Sequence, residues 1–334
     1  MIIPTYQRAG LVARAVDSAL AGTRDGDEVI VVDDGSTDDT ADVLAQYSDP
    51  VRYLRVPRGG AGRARNHGVR AARGTLVAFL DSDDEWDPDK LDLQRAVMDA
   101  RPDVVFSFTD FASRHEGRAD GHHQLARWHG SDLGWDALLG PAQPYSALAP
   151  LPAGRDDFPV HVGDLYPRVL SGHFVPTFTM MVRRAVAGDA LWFAEDLPTY
   201  EDLECHARLA RVGPAAYLDA ETAYQWGHAS ERLTDADSFT CASARLTIVE
   251  RVYGADPEFL ASHADEYERE VRRQHLTRAR WLLARGRSRE ARAELRAAGG
   301  GPLAWRFGAR LPEGAVPRLR SVARRGRTPS GASS

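Results

Sequence analysis

Leu76-Val77-Ala78-Phe79-Leu80-Asp81-Ser82-Asp83-Asp84 is five apolar residues running straight into a cluster of acids. An unbroken apolar run of that length reads as a strand covered on both faces, the habit of a parallel sheet flanked by helices. The switch to acid-Ser-acid-acid marks the strand's C-terminal end, where open α/β sheets bind their ligands. Outward from this stretch the pattern repeats. Glu28-Val29-Ile30-Val31-Val32 is a buried strand that breaks at Asp33-Asp34-Gly35-Ser36-Thr37. Val51 to Val56, Val104 to Phe108 and a clipped Ile2-Ile3 are further strands. Helical spacing separates them: Leu11, Ala15, Val16, Ala19 and Leu20; a helix opened by Gly59-Gly60-Ala61-Gly62 and running through Ala72; and another from Lys90 to Ala100. Ser36 and Asp39 stand at capping-box separation before a further helix. The expected class is α/β, a Rossmann-like and mainly parallel sheet flanked by helices. Asp34 and the acids at 81–84 then share one crevice.

Beyond this half the texture changes. Residues 112–175 are rich in Gly, Pro, His and Trp with weak periodicity, which predicts long loops and short helices over one end of the sheet. From Asp235 onward the pattern is helical, with a hairpin turned at Gly286. From Gly326 the composition is Ser/Gly/Arg-rich and predicts disorder.

The 334 residues, 43% of them hydrophobic, suffice for a large core. The two cysteines, Cys205 and Cys241, form no disulfide framework and lack metal-ligand spacing. No run approaches the roughly 18 apolar residues of a membrane span, and Met1-Ile2-Ile3-Pro4 has no basic region ahead of its apolar residues. A cytoplasmic location is therefore expected, with no nucleic acid among the partners. The net charge of −6 hides an asymmetry. Residues 271–334 carry 16 Arg, no Lys and 3 Glu, a net of +13, so the remainder stands at −19. Trp305, Phe307, Leu311, Val316, Leu319 and Val322 interleave with Arg306, Arg310, Arg318 and Arg320. Such a tail suits peripheral contact with an anionic membrane, or else a solvated helical face packed on the acidic body. Pro312 and Pro317 exclude one long helix.

Asp81-Ser82-Asp83 on a strand-end turn offers hard carboxylate oxygens to a divalent cation, whose remaining ligands a sugar-nucleotide diphosphate can supply. The plainer reading is that Asp84 or Asp87 caps the helix starting near Pro88. Four motifs in order shift the balance: Pro4-Thr5-Tyr6-Gln7-Arg8, Val31-Val32-Asp33-Asp34-Gly35-Ser36-Thr37-Asp38, Ala64-Arg65-Asn66-His67-Gly68, and Phe79 to Trp86 followed by Asp89-Lys90-Leu91. Together they resemble the family 2 glycosyltransferases of the GT-A fold, densely over residues 1–110 and through isolated landmarks to about 235.

The resemblance implies an inverting transfer from a nucleotide sugar, a UDP-sugar by expectation, to a hydroxyl of a glycan, lipid-linked or small-molecule acceptor, in the synthesis of a polysaccharide, glycolipid or cell-envelope glycan. Pro4, Thr5, Tyr6 and Arg8 would line the donor site, and Asp34 would accept a hydrogen bond from uracil N3. Arg65 would lie near the nucleotide unless it pairs with Asp33, which itself is expected to hold its loop. Asp81, Ser82 and Asp83 would meet the donor, with Asp83 the direct ligand of Mn²⁺ or Mg²⁺ and Asp81 accessory. Thr199-Tyr200-Glu201-Asp202-Leu203-Glu204 matches the family's helix-borne base, which assigns that role to Asp202 and an accessory one to Glu201; both acids also suit a helix N-terminus electrostatically. Tyr224 to Ser230 matches the segment in which His228 would complete the metal shell, with Ser230 and Arg232 near the diphosphate. The division implied is a GT-A domain at 1–235 (a nucleotide-sugar half at 1–110, an acceptor half at 111–235), a helical extension at 236–325 and a tail at 326–334. Gln7 departs from the usual Asn, and the first strand lacks the residues that normally precede it, as if the start were misassigned or the strand an edge. A sugar-phosphate nucleotidyltransferase is the alternative, but Pro4 to Gly10 lacks its Gly-rich, Arg-containing loop. A non-catalytic sugar-nucleotide binder would have no need of a base at Asp202.

Overall fold

The computed structural model describes residues 1–227 and 236–313. His228, Ser230 and Arg232, and residues 314–334 with the expected disordered tail, lie outside the described residues. The chain divides into two compact units, Met1–Leu197 with Glu201–Ser230, and Pro198–Tyr200 with Glu231–Ser334.

In chain order the first unit begins with β1 (Ile2–Thr5), α1 (Val12–Ala21), β2 (Val29–Asp33), α2 (Thr40–Leu44), β3 (Val51–Arg55) and α3 (Ala61–Ala71). It continues through β4 (Leu76–Ala78), β5 (Asp84–Trp86), α4 (Lys90–Ala100), β6 (Phe106–Arg114), α5 (Gln124–Trp128), α6 (Trp135–Leu139), β7 (Gln143–Pro144) and β8 (Pro159–Gly163). The remainder is α7 (Tyr166–Val169), β9 (Met181–Arg183), α8 (Arg184–Ala187), α9 (Glu201–Val212) and β10 (Ala215–Trp226).

β1, β2 and β3 form a parallel sheet, Ile2 facing Ile30 and Val29 facing Val51. Every residue of β2 is buried, and the β-branched run Val29-Ile30-Val31-Val32 suits a strand covered on both faces. Ala64 of α3 seals Ile30 and Val32 on one side. The second sheet is mixed, in the order β4-β9-β6-β10-β8-β7 with β5 on the far end of β10. Its centre is the parallel pair β6 and β10, and the other pairings are antiparallel. The α/β class read from the sequence holds, with its parallel character concentrated in the N-terminal strands.

Three local expectations change. The strand expected at 104–108 is longer and displaced, Phe106–Arg114, because it pairs along β10 as far as Trp226. The run at 76–80 leaves the ladder after Ala78, yet Phe79 bridges Ile2 and the Leu80 N–H donates to the Ile2 carbonyl at 3.1 Å. Ile2 is therefore bonded on both sides, and β1 is an interior strand rather than an edge. The Ser36–Asp39 capping box does not form: the Ser36 hydroxyl accepts the Gln7 N–H at 2.9 Å, and the Asp38 carboxylate takes the Thr40 hydroxyl and N–H.

α4 starts where expected and buries Lys90, the chain's single lysine. Its Nζ donates to Gln94 Oε1 at 2.5 Å and lies 4.3 Å from the Trp86 ring centre. Burial pushes this amine well below its ordinary pKa.

The second unit is helical, as its periodicity predicts: α10 (Ser238–Ile248) continues into a π-helical turn at Val249–Tyr253, then come α11 (Pro257–Ala284), α12 (Ser288–Ala297) and α13 (Leu303–Gly308). Asp256 caps α11 by accepting the Glu258 and Phe259 N–H groups, with Pro257 at the first helical position. The hairpin turns at Gly286, whose φ of 78° a side chain would resist. Ala279, Leu282, Leu283, Ala291, Leu295 and Ala309 form its core, with Trp281 and Trp305 packed against it.

Candidate functional site

The donor-side residues meet at the C-terminal ends of β1 and β2. Pro4 and Thr5 are buried, and the Thr5 hydroxyl finds no hydrogen-bond partner among the described residues, the condition of an atom that a ligand can satisfy. Tyr6 lies under the Arg58 guanidinium, 4.3 Å from it. Gln7, at the place where the family pattern has Asn, ties two turns together: its Oε1 accepts the Thr37 and Asp38 N–H groups at 2.8 and 3.1 Å. Asp33 holds its loop through the Ser36 N–H and the Tyr53 hydroxyl, the part expected of it. Asp34 also has a mechanical task. Its two oxygens accept the Gly59 and Gly60 N–H groups at 2.7 and 2.8 Å, pinning the loop that opens α3. Each oxygen accepts more than one hydrogen bond, so these contacts leave capacity for a ligand.

The acidic turn follows Leu80. Ser82 is buried, and the Asp83 carboxylate stands 3.8 Å from Arg8 Nε. Asp84 does not cap α4, whose first turn begins after Asp89; the Asp87 carboxylate accepts the Asp89 N–H at 3.4 Å just ahead of it. Asp84 instead accepts the Trp226 N–H, and β5 pairs in register with the end of β10, Asp84 opposite Gln225. His228 lies three residues further along the sequence, outside the described residues, as do Ser230 and Arg232.

Arg65 turns out to be the hinge of the site. It is 5% exposed and pairs with Asp81 at 2.8 Å and with Glu201 at 2.9 Å. The alternative partner, Asp33, is engaged elsewhere. Gly62, one turn earlier on α3, makes this approach possible, since a Cβ there would stand 2.9 Å from both the Ala194 carbonyl and Glu201 Cγ. The neighbouring Asn66 clamps the same segment, exchanging hydrogen bonds with the Phe193 backbone. Burial opposes charge on Arg65, but Asp81, Glu201 and Asp202 hold its proton more firmly than usual. Burial raises the Asp81 carboxyl, and repulsion from Asp83 adds to the effect while Arg65 opposes it. Two hard carboxylates that repel one another fit the donor set of a divalent cation, which would relieve that repulsion.

Asp202 occupies the first turn of α9 beside Glu201 and Glu204. Its Oδ2 accepts the Thr177 hydroxyl at 3.1 Å and faces His173 Nε2 at 3.6 Å, and its side chain remains 22% exposed. Thr177 also reaches His206 Nε2 at 3.3 Å. Burial works against the Asp202 carboxylate, but His173, His206 and Arg65 outweigh it and hold the group at about 2. His206 itself is kept neutral by burial, at about 3, so Arg65 is the durable contributor. The sequence reading missed Thr177, His173 and His206. Asp202 and His206 stand at i, i+4 on one helix face, a usable signal; His173 offers none.

A second group of ligand-type side chains was also missed. Asp110, His123 and Asp219 bring ligand atoms within 4.8 Å of one another, on β6, ahead of α5 and on β10. Asp110 is buried and accepts the Leu125 and Phe111 N–H groups.

Residues 1–146 match the family model "Glycosyl transferase family 2". The putative teichuronic acid biosynthesis glycosyltransferase TuaG of Bacillus subtilis is 40% identical over 116 residues, 34% of this chain and 46% of TuaG. The matched stretches span less than half the length of such relatives. Among solved structures, S. aureus TarS 1–349 in complex with UDP-GlcNAc superposes with a TM-score of 0.55 at 17% identity, covering 96% of this chain and 91% of that one. The mannosyltransferase PcManGT of Pyrobaculum calidifontis, in complex with GDP-Man and Mn²⁺, gives 0.53 at 18% identity, covering 98% and 79%. The fold shared with these structures is the GT-A glycosyltransferase arrangement.

Proposed function

We propose, from the family 2 glycosyltransferase segment at residues 1–146, that the protein transfers a sugar from a nucleotide sugar to an acceptor hydroxyl with inversion, in the assembly of a cell-envelope glycan. One observation carries the reading. Buried Arg65 joins the Asp81-Ser82-Asp83 turn to the start of α9, so the acids assigned to the donor and the acid assigned to the acceptor belong to one electrostatic unit. A binding protein has no need of that coupling. Pro4, Thr5, Tyr6, Arg8 and Asp34 then receive the nucleoside, with Asp34 favouring uracil. UDP-GlcNAc in TarS supports that base, whereas GDP-Man in PcManGT shows that the fold accepts another.

Asp202 takes the acceptor proton at Oδ2 as the hydroxyl oxygen attacks the anomeric carbon and the nucleoside diphosphate leaves from the opposite side. Held at about 2, it is ionised at every physiological pH, and Thr177 and His173 fix the oxygen that receives the proton. Asp83 and Asp81 would hold a Mn²⁺ or Mg²⁺ ion, which when bound neutralises charge on the departing diphosphate. The acceptor class, glycan, lipid-linked or small molecule, is left to experiment.

Nucleotide release from a panel of UDP-, GDP- and TDP-sugars, measured with each candidate acceptor class, tests the proposal. Turnover should favour a UDP-sugar, disappear in EDTA and return with Mn²⁺. Asp83→Ala should lose at least about 100-fold, the scale on which single charge-stabilising groups act in catalysis. Full turnover in the chelator would remove the metal from the reading. Pyrophosphate release from a sugar phosphate and a nucleoside triphosphate would point to a nucleotidyltransferase instead.

A further inference from the structure

α13 resolves which side chains of the basic C-terminal region are available. Trp305 and Ala309 turn inward: Ala309 is fully buried in the α11–α12 core, and Trp305 packs beside it. Trp305 therefore leaves the set of outward-facing apolar residues expected from the sequence. At about 100° per residue the opposite face of the helix falls to Leu303, Arg306, Phe307 and Arg310, grouped within an arc of about 100°. The helical turn continues to Arg310 through its N–H to the Phe307 carbonyl. All four residues are exposed. Leu303 at 79% and Phe307 at 67% are the most exposed large hydrophobic residues among those described.

The surroundings are cationic. Over residues 271–313 there are 11 Arg against Glu290, Glu294 and Glu313. Glu290 and Glu294 are already paired, with Arg287 and with Arg278 and His275. Arg289, Arg292 and Arg296 of α12 are exposed. α11 repeats the contrast, with Asp265, Glu266, Glu268 and Glu270 in its first half and Arg272, Arg273, Arg278 and Arg280 in its second.

We propose that the face of α13 formed by Leu303, Arg306, Phe307 and Arg310 docks on an anionic lipid bilayer. Leu303 and Phe307 would enter the boundary between headgroups and acyl chains while the two arginines bind lipid phosphates. The surface chemistry favours lipid over protein. Four side chains on a six-residue helix fall well short of the roughly 800 Å² per partner that a stable protein interface buries. An interfacial helix, by contrast, needs only a few apolar side chains backed by basic charge. This inference goes beyond the donor–acceptor reading and stands or falls without it.

Flotation of the full chain with phosphatidylcholine vesicles, with and without phosphatidylglycerol, is the test. The parent should float with the anionic vesicles only and be released as salt rises. L303S/F307S and R306E/R310E should each weaken binding about tenfold or more. All four positions are exposed, so both variants should melt at the parent's temperature. Failure of the parent to float overturns the proposal, as does equal flotation of the variants. A fall in oligomeric mass of L303S/F307S by light scattering without lipid would also overturn it, by assigning the stripe to a contact between copies of the chain.

Discussion

Asp202→Asn should remove sugar transfer while leaving UDP affinity almost unchanged. Loss of a general base costs about 10²–10⁴-fold in rate. Here the oxygen in question accepts the Thr177 hydroxyl and faces His173. Single-turnover kinetics and calorimetry on the same preparation separate the two effects. Glu201→Gln should cost less, because Glu201 is committed to Arg65 rather than turned toward an acceptor. The pH dependence carries a sign of its own. Asp202 is lowered to about 2, so its ionised fraction stays constant from pH 8 down to about 4, and kcat should show no acid limb from this group in that range. Near-normal turnover by Asp202→Asn would shift the base to another residue, and equal turnover by both variants would end the inverting scheme.

Arg65→Met should be the most destabilising single change at the site. Removing one partner of a buried ion pair leaves the other charge uncompensated, at a cost of about 3–5 kcal/mol. Arg65 has two partners, and a third acid, Asp202, lies within its field. Urea unfolding should show a lower midpoint at unchanged slope. Donor affinity should fall in parallel, because Asp81 loses the group that orients it. Arg65→Lys should not restore either property, since an ammonium cannot place two separate N–H groups on Asp81 and Glu201 in the planar geometry of the fork. A variant as stable as the parent would reduce the clasp to a surface-like pair worth about 1 kcal/mol or less.

The parts of this protein legible from sequence are those in which local chemistry and position coincide. Val29 to Val32 announces a buried strand, and Leu76 to Leu80 announces one that leaves its ladder after Ala78; the acids after each mark where the sheet opens. Gly286 announces its turn. The less legible parts depend on distant pairing. The length of β6 was hidden because its extension to Arg114 is set by β10, more than a hundred residues away. The role of Arg65 was visible only as one of a motif; its partners Asp81 and Glu201 are 16 and 136 residues distant. Asp34 was read as a ligand contact, while its clamp on Gly59 and Gly60 required knowing that the two loops touch. His173 reaches Asp202 from a segment whose composition says nothing of the site.

Lys90 has a practical corollary for handling the molecule. Apart from histidines, the chain's basic side chains are otherwise all arginine, and its one ε-amine is sealed between Trp86 and Gln94. Lysine-directed chemistry therefore has no target on the folded surface: lysine acetylation and lysine-to-lysine cross-linkers pass Lys90 by. Such a reagent becomes a counter of unfolding events, because each Lys90 modified records an opening of α4 from the sheet. Immobilising the protein for binding measurements calls for a different handle.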